Sequence, residues 1–254
     1  LTGFYETFIE YKDKIETIER FGLNLSQLIR FDKRSFFETK SVWESFSDQS
    51  ATKKNIEQRS FALKINIDKK DDPLFTRKGY LLSGLFKSTG YVFGGNRDYL
   101  KVDLAIQTYT PIGKKSVFAT RIKLGRLWGW DSNDTDYITD YSYEKFYLGG
   151  STSMRGWEVL KFKKENDKPV GEIIRFMTNV EYRFPFYKSF GFTIFADGGS
   201  LVHHTKNILS DSLEWDAGIG LTILTPLGPA RLDYAIQVND PGKRKIQLGV
   251  QNLF

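Results

Sequence analysis

Ile174-Arg-Phe-Met-Thr-Asn-Val-Glu-Tyr-Arg-Phe184 sorts its side chains by parity: Ile174, Phe176, Thr178, Val180, Tyr182 and Phe184 on one side of an extended chain, Arg175, Met177, Asn179, Glu181 and Arg183 on the other. Alternation of this kind is the signature of a strand with one apolar and one polar face. It continues downstream. Phe190, Phe192, Ile194 and Ala196 oppose Gly191, Thr193, Phe195 and Asp197. Trp215, Ala217, Ile219, Leu221 and Ile223 oppose Glu214, Asp216, Gly218, Gly220 and Thr222. Ala230, Leu232, Tyr234 and Ile236 oppose Arg231, Asp233, Ala235 and Gln237, and the last segment sets Ile246, Leu248, Val250 and Phe254 against Lys245, Gln247, Gly249 and Gln251. Upstream, Phe61, Leu63, Ile65 and Ile67 face away from Ala62, Lys64, Asn66 and Asp68, and Val102, Leu104 and Ile106 away from Lys101, Asp103 and Gln107.

A soluble sandwich alternates too, but its strands run to about five or six residues. Crossing a bilayer at a tilt takes about nine to eleven, and the segments here meet that length. Short turns (Pro111 to Lys115, Pro185 to Lys188, Pro226 to Pro229) alternate with mostly longer linkers (Ser88 to Asp98, Asp131 to Val170, His203 to Ser212), the outer-membrane pattern. The expected fold is therefore all-β, a transmembrane antiparallel β-barrel of about twelve strands. They fall near 4–12, 20–31, 36–47, 59–68, 78–87, 98–110, 116–130, 171–185, 188–202, 213–226, 228–238 and 244–254, with 12–31 charged enough to read also as helix. An even count puts both ends of the chain on the periplasmic side.

Composition agrees with this reading. No stretch of the 254 residues approaches 18 consecutive apolar residues, so a transmembrane helix is excluded. Aromatics at 15% suit interfacial girdles, and the absence of Cys suits an envelope compartment. The net charge of +6 reads as a mixed polar surface, not a nucleic-acid footprint. Beginning Leu1-Thr2-Gly3, the chain reads as a mature product or a fragment.

The linker from Asp131 to Val170 exceeds what a connection requires. It contains Phe146-Tyr-Leu-Gly-Gly-Ser-Thr-Ser-Met-Arg-Gly-Trp157, in which Gly149, Gly150 and Gly156 surround a lone Arg155 followed by Trp157. That is the make-up of a tight tip presenting one guanidinium. Folded into the lumen, Arg155 requires an anionic partner, and parity offers Glu181 and Asp197 on neighbouring strands. The alternative is a solvated arginine in a surface loop.

The Leu148-to-Trp157 run resembles the Arg-Gly-aromatic signature of the sixth external loop of the BamA/TamA superfamily of outer-membrane assembly factors and translocators. Gly191-Phe-Thr-Ile-Phe-Ala-Asp-Gly-Gly199 is similar to that family's Gly…Phe-x-Asp-x-Gly strand. Gly218 to Ala235 resembles its penultimate hairpin, with a Pro226-x-Gly-Pro229 turn, and Phe254 its C-terminal aromatic. Together these motifs cover roughly 140–254; the first hundred residues match by strand pattern only. The resemblance implies that Arg155 pairs with Asp197 and Glu181. It also implies a sixteen-stranded barrel preceded by periplasmic POTRA repeats, so that 1–254 is the C-terminal barrel part without the first strands or the repeats. The implied activity is assembly of client barrels through a lateral seam in a Gram-negative type outer membrane. The implied partners are membrane lipid, unfolded β-barrel clients and accessory assembly lipoproteins, with no nucleic acid and no cofactor. Alternatives within the resemblance are a two-partner secretion pore and a barrel anchoring a larger complex.

Enzyme signatures are not found. His203 and His204 are adjacent and lack further ligand spacing. Gly149-Gly-Ser-Thr-Ser153 ends on Ser where a nucleophile elbow needs Gly. Gly218-x-Gly220 lacks the third glycine of a dinucleotide fingerprint. Polar-face carboxylates (Asp103, Glu181, Asp197, Asp216, Asp233) share their face with Arg175, Arg183, Arg231 and Lys101, which points to structural ion pairing. Lys161-Phe-Lys-Lys164 and Lys87 to Tyr91, in external loops, point to anionic headgroups or sugars.

Overall fold

The computed structural model describes residues 2–11, 15–47, 55–129, 144–187, 189–204, 213–225 and 228–250. Among the described residues twelve main strands run in chain order, each hydrogen-bonded to the next: β1 (Thr2–Tyr11), β2 (Ile15–Arg30), β3 (Phe36–Ser47), β4 (Asn55–Asp68), β5 (Gly79–Thr89), β6 (Tyr99–Ile112), β7 (Ser116–Trp128), β10 (Ile174–Tyr187), β11 (Phe190–Val202), β12 (Glu214–Thr225), β13 (Gly228–Gln237) and β14 (Arg244–Val250). The two-residue strands β8 (Lys164–Glu165) and β9 (Lys168–Pro169) form a separate ladder inside the long linker. The helical alternative for 12–31 is overturned over the described part, because Ile15–Arg30 pairs along its length with β1 and β3. Pro111 and Pro185 are strand residues, not turn residues. Proline is tolerated at Pro185 because the β10–β11 register shifts between Pro185 and Tyr187, where the ladder is already broken. Phe254, Pro226 and Leu227 lie outside the described residues.

Two compact units divide the chain: Leu1–Ile67 with Ser83–Asp103 and Arg126–Lys145, and Asp68–Leu82 with Leu104–Gly125 and Phe146–Phe254. In the first, β1 to β4 form a meander of antiparallel hairpins. Its register brings Leu23 beside Trp43 and Leu25 beside Ser41 on one face, while Gln58 donates to Glu44 on the other (2.8 Å). In the second, β10 to β14 are likewise consecutive antiparallel neighbours.

Burial in both units is inverted relative to a water-soluble protein. Large apolar side chains stay exposed (Leu25 58%, Ile194 52%, Leu248 78%), whereas Glu44, Gln58, Asn179, Glu181, Asp197, Asp216 and Asp233 are buried. In water the reverse would hold. A sheet that turns hydrocarbon outward and hydrogen-bonds its charges inward is adapted to lipid, where strands must pair with strands because an unpaired backbone group costs several kcal/mol.

Candidate functional site: the Arg155 loop and the inner face of β10 to β14

The long linker is pinned at its base by an antiparallel bridge, Phe146 N–H to Glu172 O (2.8 Å) and Glu172 N–H to Phe146 O (3.0 Å). The Phe146 ring occupies the space over Gly125, where an added Cβ would lie 2.6 Å from the ring, and the Arg175 guanidinium lies over that ring at 4.7 Å. Beyond the bridge the tip is tied to itself. Gly150 N–H donates to Met154 O (3.0 Å) and Trp157 O (3.1 Å), Phe162 N–H donates to Leu148 O (3.0 Å), and the Trp157 and Phe162 rings meet at 5.0 Å. Gly149 (φ 113°) and Gly150 (φ 95°) take the positive φ this path requires, a region nearly closed to residues with a Cβ.

The knot delivers Arg155, which is 0% exposed, onto the inner face. Its Nε and Nη2 clasp both oxygens of Asp197 (2.8 and 2.7 Å), and its Nη1 donates to Glu181 Oε1 (2.7 Å) with Asp233 Oδ2 at 3.6 Å. The guanidinium lies 3.3 Å over the ring of Phe195. This is the planar, bidentate and stacked use of arginine that lysine cannot reproduce. Phe195 can lie there because Gly218 faces it; a Cβ at Gly218 would come within 2.5 Å of the ring.

A second ring of contacts holds the partners. Asn179 donates to Asp197 Oδ1 (2.8 Å) and Ser153 O (2.7 Å) while accepting from Arg121 Nε (2.9 Å), and Arg121 also reaches Thr152 O (2.9 Å). Arg183 donates to Glu181 Oε2 (2.6 Å), and Arg231 pairs with Asp233 (3.0 Å) while donating to Ser151 O (3.1 Å). Gly156 N–H donates to Asp216 Oδ2 (2.9 Å). Arg155, Arg183 and Arg231 thus pair directly with Asp197, Glu181 and Asp233.

The loop also grips the last strands through its backbone. Gln237 donates to Gly156 O (2.9 Å), Gln247 donates to Trp157 O (2.9 Å) and Arg155 O (3.3 Å), and Lys245 reaches Glu158 (2.7 Å). Strand β14 is therefore held by its ladder to β13 and by side chains reaching the loop.

Parity identified Glu181 and Asp197, and the solvated alternative for Arg155 is set aside by its burial. Gly199 also joins the site, since an added Cβ there would meet Met154 Sδ at 2.8 Å. Gly191 does not; around it the closest atoms to a Cβ would lie at 3.6 and 3.8 Å, ordinary contact. The basic run 161–164 is occupied within its own loop: Lys161 and Lys164 both bind Asp167 (2.7 and 2.9 Å), and Lys163 binds Glu172. His203 and His204 meet edge to face at 4.9 Å, with His203 at 3.8 Å from Glu172.

Glu144, which no motif marks, makes a further anchor in the first unit. Its carboxylate accepts from Lys87 (2.6 Å), Tyr99 (2.7 Å) and Lys101 (3.0 Å), and its carbonyl accepts from Lys101 (2.7 Å). Burial alone would raise this carboxyl, but Lys87 and Lys101 outweigh it and hold it at about 2, below its ordinary 4.5. Its contribution to stability is accordingly complete above about pH 4.5 and disappears as the pH falls through about 2. Glu144→Ala is expected to cost about 1.5–3 kcal/mol at neutral pH, the range for hydrogen bonds to charged groups. Urea unfolding at pH 7 measures it, and an unchanged midpoint would rule the anchor out.

Comparison with known families decides what kind of barrel this is. The model described as the Omp85 superfamily domain matches residues 13–252. The chain belongs to the Omp85 superfamily. Within Omp85, it is 27% identical over 206 residues to the Sorting and assembly machinery component 50 homolog of Mus musculus, covering 73% of this chain and 42% of that protein. It is 26% identical to homolog B of Xenopus laevis with the same coverage. The chain thus spans 42% of the length of these curated relatives. Its fold is similar to that of BamA from Haemophilus ducreyi lacking POTRA domains 1-3 (TM-score 0.76, 15% identity, 96% of this chain and 56% of that chain). It is also similar to that of CdiB from Acinetobacter baumannii (TM-score 0.50, 14% identity, 91% and 40%). An Omp85 barrel is an outer-membrane protein, in keeping with the inverted burial.

Proposed function

We propose that this domain is the membrane-embedded part of an assembly factor that folds client β-barrels and inserts them into the outer membrane through a lateral seam at β14, without enzymatic chemistry. The observation that carries this reading is the double attachment of the Arg155 loop, to the buried carboxylates of β10, β11 and β13 and, through Gln247 and Lys245, to β14. An edge strand is a template for another strand. A seam that admits one inside lipid requires the rest of the wall to stay braced, and the buried ion pairs would supply that brace. Similarity to the Sorting and assembly machinery component 50 homologs supports the same reading. The proposed site is a Gram-negative type outer membrane, with unfolded barrel proteins and accessory assembly lipoproteins as partners. The relatives from Mus musculus and Xenopus laevis make an organellar outer membrane the alternative, and fractionation of a tagged chain separates the two.

A photo-crosslinker at Leu248, which is exposed on β14, tests the seam. Crosslinks to the terminal strand of an arrested barrel client are expected. A secreted soluble polypeptide captured instead from crosslinkers on the inner face, with none at Leu248, would establish the translocation pore.

A further inference from the structure

Loop 90–98, between β5 and β6, lies folded against the edge of β4. Gly90 N–H donates to Arg59 O (2.9 Å), Asn96 N–H donates to Glu57 O (2.9 Å), and the Asn96 side-chain oxygen accepts from Glu57 N–H (2.9 Å). Its tip is one 3-10 turn, Tyr91–Phe93.

The face on which this tip rests is the outward one. On β4 the inward residues Ile56, Gln58 and Ser60 are buried, while Glu57, Arg59, Phe61, Leu63 and Ile65 alternate with them. That outward row passes from charge to hydrocarbon between Arg59 and Phe61. At this level Phe93 stacks on Phe61 (centroids 6.4 Å, planes 27° apart), and Arg59 Nη1 donates to Phe93 O (3.4 Å). Trp43, opposite Arg59 in the β3–β4 register, donates its indole N–H to Glu57 Oε1 (2.9 Å). An indole with its ring toward hydrocarbon and its N–H toward a charge marks the polar–apolar boundary of a membrane. Tyr91 and Val92 project from this cluster 65% and 73% exposed, on a turn held by the hydrogen bonds above.

We propose that loop 90–98 is an interfacial lipid anchor: Tyr91 and Val92 enter the boundary between headgroups and acyl chains, and the partner of this surface is the bilayer itself. The proposal rests on the outer-membrane placement of the domain and is independent of the assembly activity, so failure of one does not imply failure of the other. Charge-to-apolar continuity with the strand wall favours lipid over a protein partner.

The chain has no Cys, so Val92→Cys and Tyr91→Cys each create a unique labelling site. The full chain, labelled with an environment-sensitive fluorophore, would be reconstituted in phosphatidylcholine–phosphatidylglycerol vesicles. These carry a spin label either near the headgroup or near the acyl-chain end. Asp167→Cys, at a side chain 67% exposed in the β8–β9 turn, is the aqueous reference. At positions 91 and 92 a blue-shifted emission is expected, with stronger quenching by the shallow spin label than by the deep one. Emission and quenching equal to the Asp167→Cys reference would overturn the proposal, as would deeper quenching exceeding shallow. Shielding that appears only when an unfolded barrel protein is added would assign the loop to a protein partner instead.

Discussion

Replacing Arg155 by alanine is expected to destabilise the folded domain by about 3–5 kcal/mol, the range for removing one member of a buried ion pair. The loss arises mainly from what is left behind. Asp197 would lose both donors of the guanidinium clasp and keep those from Asn179 and the backbone, and Glu181 would fall back on Arg183 and the more distant Arg231. Arg155→Lys should rescue little, because one ammonium cannot span both oxygens of Asp197, reach Glu181 and lie flat on Phe195. Urea unfolding in vesicles and migration on unheated gels read the effect. In a double-mutant cycle, Arg155→Ala with Asp197→Ala should cost clearly less than the two single changes added, because they share one interaction. A wild-type midpoint for Arg155→Ala would show that the ion pairs do not brace the wall.

The second large effect separates two glycines that look equivalent as motif letters. Gly149→Ala combines a backbone at φ 113° with a Cβ placed 2.2 Å from Glu158 O, a main-chain atom with little freedom to retreat. The dihedral alone costs on the order of 1–3 kcal/mol, and relief of the contact would move the tip that carries Arg155. Gly191→Ala meets nothing closer than 3.6 Å and is expected to stay within about 0.5 kcal/mol. Comparable midpoints for the two variants would refute this assignment.

These cases show where sequence reading ends. Parity along a strand is local: once Glu181 and Asp197 lie in alternating segments, the face they share follows from the two-residue repeat, with no knowledge of the neighbouring strands. The same repeat put Gln237 and Gln247 on the polar face without saying what they bind, because their acceptors are main-chain carbonyls of the loop and a carbonyl leaves no mark in a residue pattern. Glu144 was invisible for a related reason. It pairs with Lys87 and Lys101 across 57 and 43 residues of chain, and no spacing rule joins a loop to two strands at that distance.

By itself, then, the sequence determined the strands, their two faces, the outer-membrane class and the Arg155–Asp197–Glu181 constellation. All of these depend on periodicity or on short contiguous motifs. Only the tertiary structure decided that the loop's carbonyls are held from β13 and β14, that Phe195 lies beneath the guanidinium in space vacated by Gly218, and that a side chain at Gly149 would strike Glu158 O whereas one at Gly191 would find room. Each of these depends on which atoms of a folded loop come to rest against which strand, a matter of packing in three dimensions.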